Sequence, residues 1–282
     1  MPPGPLDHAL STPTDDRPKC TSSADVVLTG ERTWPGIAQE NYWFSRHVAC
    51  YRWAATQITA SVPTVPTIAK ASISPDQPRP HPILDAGAGE GYGCEMLSST
   101  TGAPVVAFDL DRATMEHLIS TYRDVTGVLG NLVALPFRDR VFEAAVSLQV
   151  VEHVWDPVAY LSELDRCTLG PIIISTPNRP VHSPGLAPGA TPVNPFHVRE
   201  FDADELRALL TWASPARSVV LHGLRHGDRI QEWERRHGSL PAAVIGADAT
   251  ALNFAATVTE KDFTICPIAD DDEAAHDLIA LW

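Results

Sequence analysis

Hydrophobic positions along the chain follow two rhythms. Between residues 36 and 59, Trp43, Phe44, His47, Val48, Tyr51 and Ala55 recur at three- and four-residue spacings, which predicts a helix. After residue 82 the pattern changes to short unbroken apolar runs: PILDAG (82–87), APVVAFD (103–109), FEAAVSL (142–148) and GPIIIST (170–176). A further short strand is predicted at 124–129. Helix-like segments separate these runs at Tyr92–Thr100, Arg112–Tyr122 and Val158–Cys167. Strands that are apolar on both faces and alternate with helices predict an α/β fold, a parallel sheet covered by helices on both sides. Further on, Asp202–Thr211 reads as a helix opened by a capping box, with Asp202 as N-cap and Glu205 three positions later. ARSVVLHG (216–223) and the final AAHDLIALW read as strands, and the polar stretch 222–238 as an exposed helical insertion.

Proline divides this pattern. Of 25 prolines, 17 fall in residues 1–20, 61–82 and 176–195. Proline lacks an N–H and restricts the residue before it, so these stretches are loops or linkers. The organisation expected is a disordered tail at 1–28, a helical segment at 29–60, a proline-rich linker at 61–81 and an α/β domain at 82–282. The third stretch is longer than a routine connection, and long ordered loops are often functional.

Composition narrows the function. Among 282 residues the net charge is −14, which disfavours nucleic acid and anionic membrane surfaces, since both reward Lys and Arg. No apolar run is long enough to span a bilayer, and the first residues lack a signal-peptide pattern. The five cysteines, Cys20, Cys50, Cys94, Cys167 and Cys266, form no C-x-x-C pair and read as free thiols of a cytoplasmic protein.

ILDAGAGEGYG (83–93) follows a predicted strand and opens a predicted helix. Its glycines let the backbone turn tightly and approach a ligand, although glycine spacing alone is weak evidence. The acids around it say more. Asp85 before the glycines and Glu90 among them would repel a pyrophosphate and attract a sulfonium and an amino-acid ammonium. Asp109 ends the next strand, where a carboxylate can accept from both hydroxyls of a ribose; Asp111 reads as the start of the next helix. The ligand that matches is S-adenosylmethionine (SAM).

LDAGAGEGYG, AFDLD, GNLVALPFRDRVFEAAVSLQVVEHV and STPN resemble, in order and spacing over residues 82–213, the motifs of class I SAM-dependent methyltransferases. The resemblance implies a Rossmann-like sheet of seven strands, mostly parallel, with an antiparallel last strand inserted beside the others. It implies cofactor contacts at Asp85, Gly87, Gly89, Asp109, Leu110, Asn131, Leu132, Leu148 and Gln149. Asn131 stands where the family usually has Asp; its amide carbonyl can still accept from the adenine amino group. TGERTWPGIAQENYWFSRHVACYRW (29–53), TPNRPVHSPG (176–185) and NPFHVREFDADELRALL (194–210) are similar to segments of actinobacterial sugar O-methyltransferases, of the methylglucose lipopolysaccharide and mycofactocin oligosaccharide type. This likeness implies an N-terminal helical lid whose Arg46 meets the methionine carboxylate; the alternative is a packed helix with Arg46 exposed.

Methyl transfer to a sugar hydroxyl, a weak acid, calls for a base at the acceptor oxygen. His153, just past the fourth strand, is the first candidate, and the alternative for it is a histidine bonded to backbone. His197, closing the long loop, is the second, with a capping or structural histidine as its alternative. Glu152 would orient the imidazole or hold a metal. The segment also resembles quinone-biosynthesis O-methyltransferases with Glu-x-x-Glu-His metal ligands, but Gln149 fills the first position here and is a weaker ligand for a hard cation. A divalent metal is therefore not favoured, and chelation is expected to leave activity intact. Arg199 and Glu200 read as surface charges or helix-leading acids. Trp43, Trp53, Trp155 and Trp212 read as packing residues, with Trp155 the one positioned to stack on a sugar. His222, His226 and His237 read as solvated, and Asp270–Glu273 as a solvated turn.

The function expected is methyl transfer to a hydroxyl of an oligo- or polysaccharide, with a phenolic or quinone-like metabolite as the alternative acceptor. The loop DAGAGEGYG lacks the G-x-G-x-x-G of nicotinamide dehydrogenases. The absence of an (Asp/Asn)-Pro-Pro-(Tyr/Phe) tetrapeptide argues against nucleobase amino groups. A SAM-binding module without catalysis is disfavoured by the two histidines.

Overall fold

The computed structural model describes residues 33–61, 81–268 and 274–282. The expected tail at 1–28, nearly all of the 61–81 linker, Cys20 and the acidic turn Asp270–Glu273 lie outside the described residues. Eight strands form one sheet: β1 (Ile83–Ala86), β2 (Val105–Asp109), β3 (Val125–Leu129), β4 (Ala144–Leu148), β5 (Ile172–Pro177), β6 (Val220–His226), β7 (Phe263–Pro267) and β8 (Asp277–Leu281). Their order is β3-β2-β1-β4-β5-β8-β6-β7. Strands β1 to β5 are parallel, β8 runs antiparallel between β5 and β6, and β7 adds an antiparallel edge strand to β6.

The expected seven strands are thus eight. The inserted antiparallel strand is present, and the addition is β7, whose sequence FTICP follows the one-turn helix Glu260–Asp262 and lacks a long apolar run. The 222–238 insertion also resolves differently. Its first part lies in β6, displaced from the expected 216–223, and its second is the helix α7 (Asp228–His237), which buries Ile230 and Trp233.

Alternation within the strands divides the core into two. Ile83, Val105, Ala107, Val146 and Ile279 face one side, together with α1 (Asn41–Ser61), α2 (Tyr92–Thr101), α7, and α8 (Leu240–Ile245) and α9 (Ala249–Ala255). Leu84, Ala86, Phe108, Ala145, Ile172, Ile174, Leu278 and Ala280 face the other, against α4 (Pro157–Cys167) and α6 (Ala203–Ala213). Neighbouring side chains in a strand point to opposite faces, so apolar residues in succession require cover on both.

The N-terminal helix packs on the sheet. Tyr42, Ala49, Cys50, Tyr51, Ala54, Ala55 and Ile58 of α1 are buried in the first of these cores, so the helix is one of the layers that cover the sheet. The caps follow the sequence closely. Asp111 caps α3 (Arg112–Thr121) through Thr114 N–H, and Asp202 and Glu205 form the capping box of α6. Cys50, Cys94, Cys167 and Cys266 are free thiols.

Candidate active site

Strand order reverses between β1 and β4, and the ends of these strands open a crevice where ligands bind in open α/β sheets. The glycine loop leaves β1 here. Gly87 has φ +86°, and a methyl group on it would lie 2.4 Å from a methyl carbon of Val150, just past β4. Gly89 has φ +50° with open space above its Cα, and its N–H donates to Asp109 Oδ2 at 3.0 Å. Asp109 Oδ1 accepts from Asp111 N–H at 2.9 Å, so two backbone amides orient this carboxylate at the end of β2. Leu110 beside it is exposed, as is Asn131, whose side-chain oxygen accepts from Val133 N–H at 3.1 Å. The Asp109 carboxylate, the exposed Leu110 side chain and the open space over Gly89 lie at this end of the crevice.

Asp85 and Leu148 lie deeper. Asp85 is fully buried, and its carboxyl accepts from Tyr51 O–H at 3.3 Å and from the Cys94 thiol at 3.1 Å. Burial pushes its pKa up to about 7 against the pull of these two donors. Leu148 is buried at the end of β4, and Leu132 is half-buried against the second core.

Gln149, the residue after β4, has φ +56°, a conformation that costs a non-glycine residue about 1–3 kcal/mol and clusters at functional sites. Its backbone N–H donates to Ser175 O at 2.9 Å. Its side-chain amide donates to Ser175 Oγ at 3.1 Å and Asp277 Oδ1 at 3.3 Å. Asp277 in turn holds Arg46, which is buried in a two-bond ion pair. Burial raises the Asp277 pKa, and the guanidinium outweighs this to hold the carboxyl below its ordinary range. Arg46 is therefore neither exposed nor unpaired. Asp277 went unrecognised in the sequence because only the antiparallel insertion of β8 brings its first residue to this edge of the sheet.

Beyond Gln149 the chain makes a single helical turn, Val151–His153, and meets the end of the long loop. Three hydrogen bonds join them. Val198 and Arg199 N–H donate to Glu152 O at 2.8 and 3.2 Å, and His153 Nδ1–H donates to Phe196 O at 3.0 Å. This brings the His153 and His197 rings to 5.0 Å, edge to face. His197 Nδ1–H donates to Glu200 Oε1 at 2.8 Å, and its Nε2 faces the Asn194 amide at 2.9 Å. Glu200 is thus buried and bonded to His197, not a surface charge. Arg179, the first residue of the short helix α5 (Arg179–His182), is bonded to Asp202, Glu205 and Leu186 O and ties the loop back to α6.

Glu152, in the turn that carries His153, is buried. Its Oε2 accepts from Thr176 O–H at 3.0 Å, while Oε1 has no hydrogen-bond partner among the described residues. Burial pushes this carboxyl up to about 8, with its own backbone amide, His197 and Thr176 opposing. One donor atom each from Glu152, His153 and His197 lie within 4.8 Å of one another. The cluster therefore unites the three residues that the sequence singled out for chemistry, and it excludes Gln149.

Other expectations change. Trp155 and Trp212 are exposed, not packed, whereas Trp43 and Trp53 pack against the first core. His226 is buried, bonded to Tyr42 O–H at 2.7 Å and Glu234 at 2.9 Å. His222 is half-buried beside Trp53, and His237 is exposed as expected.

No helix among the described residues is long and apolar enough to cross a membrane. A methyltransferase-domain family matches residues 84–169. A probable SAM-dependent methyltransferase of Mycobacterium tuberculosis is 36% identical over 282 residues, covering 94% of this chain and 93% of that protein. One from Mycolicibacterium smegmatis is 36% identical over 267 residues, covering 91% and 94%. Among solved structures, a SAM-dependent methyltransferase of Thermotoga maritima shares the fold, with a TM-score of 0.52 at 15% identity, covering 85% of this chain and 92% of that one. With the strand order, the glycine loop and the Asp109 carboxylate, these likenesses make the chain a member of the SAM-dependent methyltransferases.

Proposed function

We propose that this methyltransferase acts on a hydroxyl group of a sugar in an oligo- or polysaccharide, and that Glu152, His153 and His197 activate that hydroxyl. The convergence of these three side chains beside the cofactor crevice carries the reading. When bound, SAM supplies an electrophilic methyl group on a sulfonium centre. Asp109 would accept from the ribose hydroxyls, Leu110 and Leu132 would border the adenine, and Asn131 would accept from its amino group. Gly87 and Gly89 let the backbone come close, and Asp85, Leu148, Gln149 and Arg46 form the floor.

A sugar hydroxyl loses its proton far less readily than a phenol, so its activation needs positioned acid–base groups. His153 donates through Nδ1 to a carbonyl, which fixes Nε2 as the proton-accepting nitrogen of the neutral ring. His197, with Glu200 at its Nδ1, has the orientation of a carboxylate–imidazole pair. Trp155 and Phe196 flank this cluster in the chain, and both are exposed. Exposed aromatic rings suit the apolar face of a pyranose and support the sugar over the phenol. Methyl transfer from labelled SAM to α-linked glucose and mannose oligosaccharides, run beside simple phenols, tests the reading. Label in the oligosaccharides is expected. Label in phenols alone would reassign the acceptor.

A further inference from the structure

We propose that Glu152, His153 and His197 bind one divalent transition-metal ion of the zinc or cobalt kind. Two imidazoles and one carboxylate form a donor set that suits such ions, where magnesium and calcium prefer oxygen alone. The donor atoms lie within 4.8 Å of one another, close enough to share one ion.

The surroundings are those of a metal site. A ligating histidine usually donates its other ring N–H to a carboxylate or a backbone carbonyl, which fixes the ring. Both histidines do so: His153 to Phe196 O at 3.0 Å and His197 to Glu200 Oε1 at 2.8 Å. Glu152 supplies an independent observation. It is 1% exposed, and Oε1 has no hydrogen-bond partner among the described residues. Burying a carboxyl oxygen without a partner is costly, and a cation among these donors removes that cost. The Asn194 amide at His197 Nε2 has to turn aside for the ion.

The ion differs from the expectation drawn from Gln149. That side chain faces Ser175 and Asp277, and the third ligand comes from 45 residues further along the chain than Glu152, as the numbering shows. Three protein ligands leave coordination positions open. On the reading above, that the cluster receives the acceptor, one such position would hold the hydroxyl oxygen and lower the pKa of its proton, which would pass to solvent; with the ion bound, His153 and His197 would activate the hydroxyl through the ion and not as bases themselves.

The test uses full-length protein freed of metal by chelation and titrated with cobalt(II), followed by visible d–d absorption and calorimetry. One ion per chain is expected. Glu152→Gln, His153→Ala and His197→Ala should each weaken binding by at least tenfold, and Glu200→Gln by about 10–100-fold, while each retains its thermal shift with S-adenosylhomocysteine. Absence of cobalt binding in the wild type, or binding unchanged in His153→Ala and His197→Ala, overturns the site. Sugar methylation by a protein that binds no cobalt would overturn the ion and leave the O-methyltransferase reading standing. Cobalt binding lost in the variants, without methylation of any sugar, would keep the ion and remove the sugar.

Discussion

Arg46 of α1 and Asp277 at the start of β8 form a buried ion pair, and Gln149, the residue after β4, bonds to the same carboxylate at 3.3 Å. Residues 231 positions apart thus tie the helix that covers the sheet to the strand inserted within it. Removing one partner of such a pair leaves the other charged and buried, at a cost of about 3–5 kcal/mol. Asp277→Ala should lose that much in urea unfolding. Arg46→Met combined with Asp277→Ala should recover part of it. Equal loss in the single and double variants would mean that the pair is not what stabilises this corner.

Asp109 holds two backbone amides at the end of β2. Asp109→Ala removes the acceptor of Gly89 and Asp111 N–H and the carboxylate assigned to the ribose. A hydrogen bond to a charged group contributes about 1.5–3 kcal/mol, so affinity for S-adenosylhomocysteine should fall at least about tenfold. Calorimetry checks this, and unchanged affinity would mean that the ribose lies elsewhere.

Three histidines near the ion pair make stability depend on pH. Burial and the neighbouring Arg46 lower the pKa of His47 and His182 to about 4. Burial, His226 and Arg46 lower that of His276 to about 3. Below the ordinary histidine pKa of about 6.5 the unfolded chain gains protons that the folded chain excludes. The histidines' contribution is therefore fully present above about pH 6.5 and falls as pH drops toward 4, by up to about 1.4 kcal/mol per pH unit for each, while Asp85 and Glu152, raised by burial to about 7 and 8, contribute in the opposite direction. Urea unfolding at several pH values should show this slope, and His276→Asn should reduce it. A variant with the wild-type slope would remove His276 from the account.

His153→Ala should lower turnover by about 10²–10⁴-fold while affinity for S-adenosylhomocysteine stays near that of the wild type. Turnover near the wild-type level would remove His153 from the activation of the acceptor.

Much of the scaffold was legible because it follows from local patterns. Unbroken apolar runs marked β1, β2, β4 and β5, and Asp202 with Glu205 marked the start of α6. β7 was not legible, since an edge strand of mixed residues has no signal apart from its pairing with β6. His226 looked solvated because its neighbours are charged, yet Tyr42 and Glu234 enclose it. Within the site, Glu152, His153 and His197 were each legible by residue type and place. Their meeting was not, because it depends on Val198, Arg199 and Phe196 docking the loop onto the turn after β4. Glu200 read as a surface charge or helix-leading acid, and Asp277 carried no signal, for the same reason: burial is set by the partner segment, not by the residue's own surroundings in sequence.

The most direct test of the central claim is methyl transfer from labelled SAM to α-linked glucose and mannose oligosaccharides, compared between wild type and the His153→Ala, His197→Ala double variant. The account predicts an O-methylated sugar, located by mass spectrometry, with wild type and loss of label with the variant while cofactor binding persists. Label confined to phenols, or sugar methylation undiminished in the variant, would contradict it.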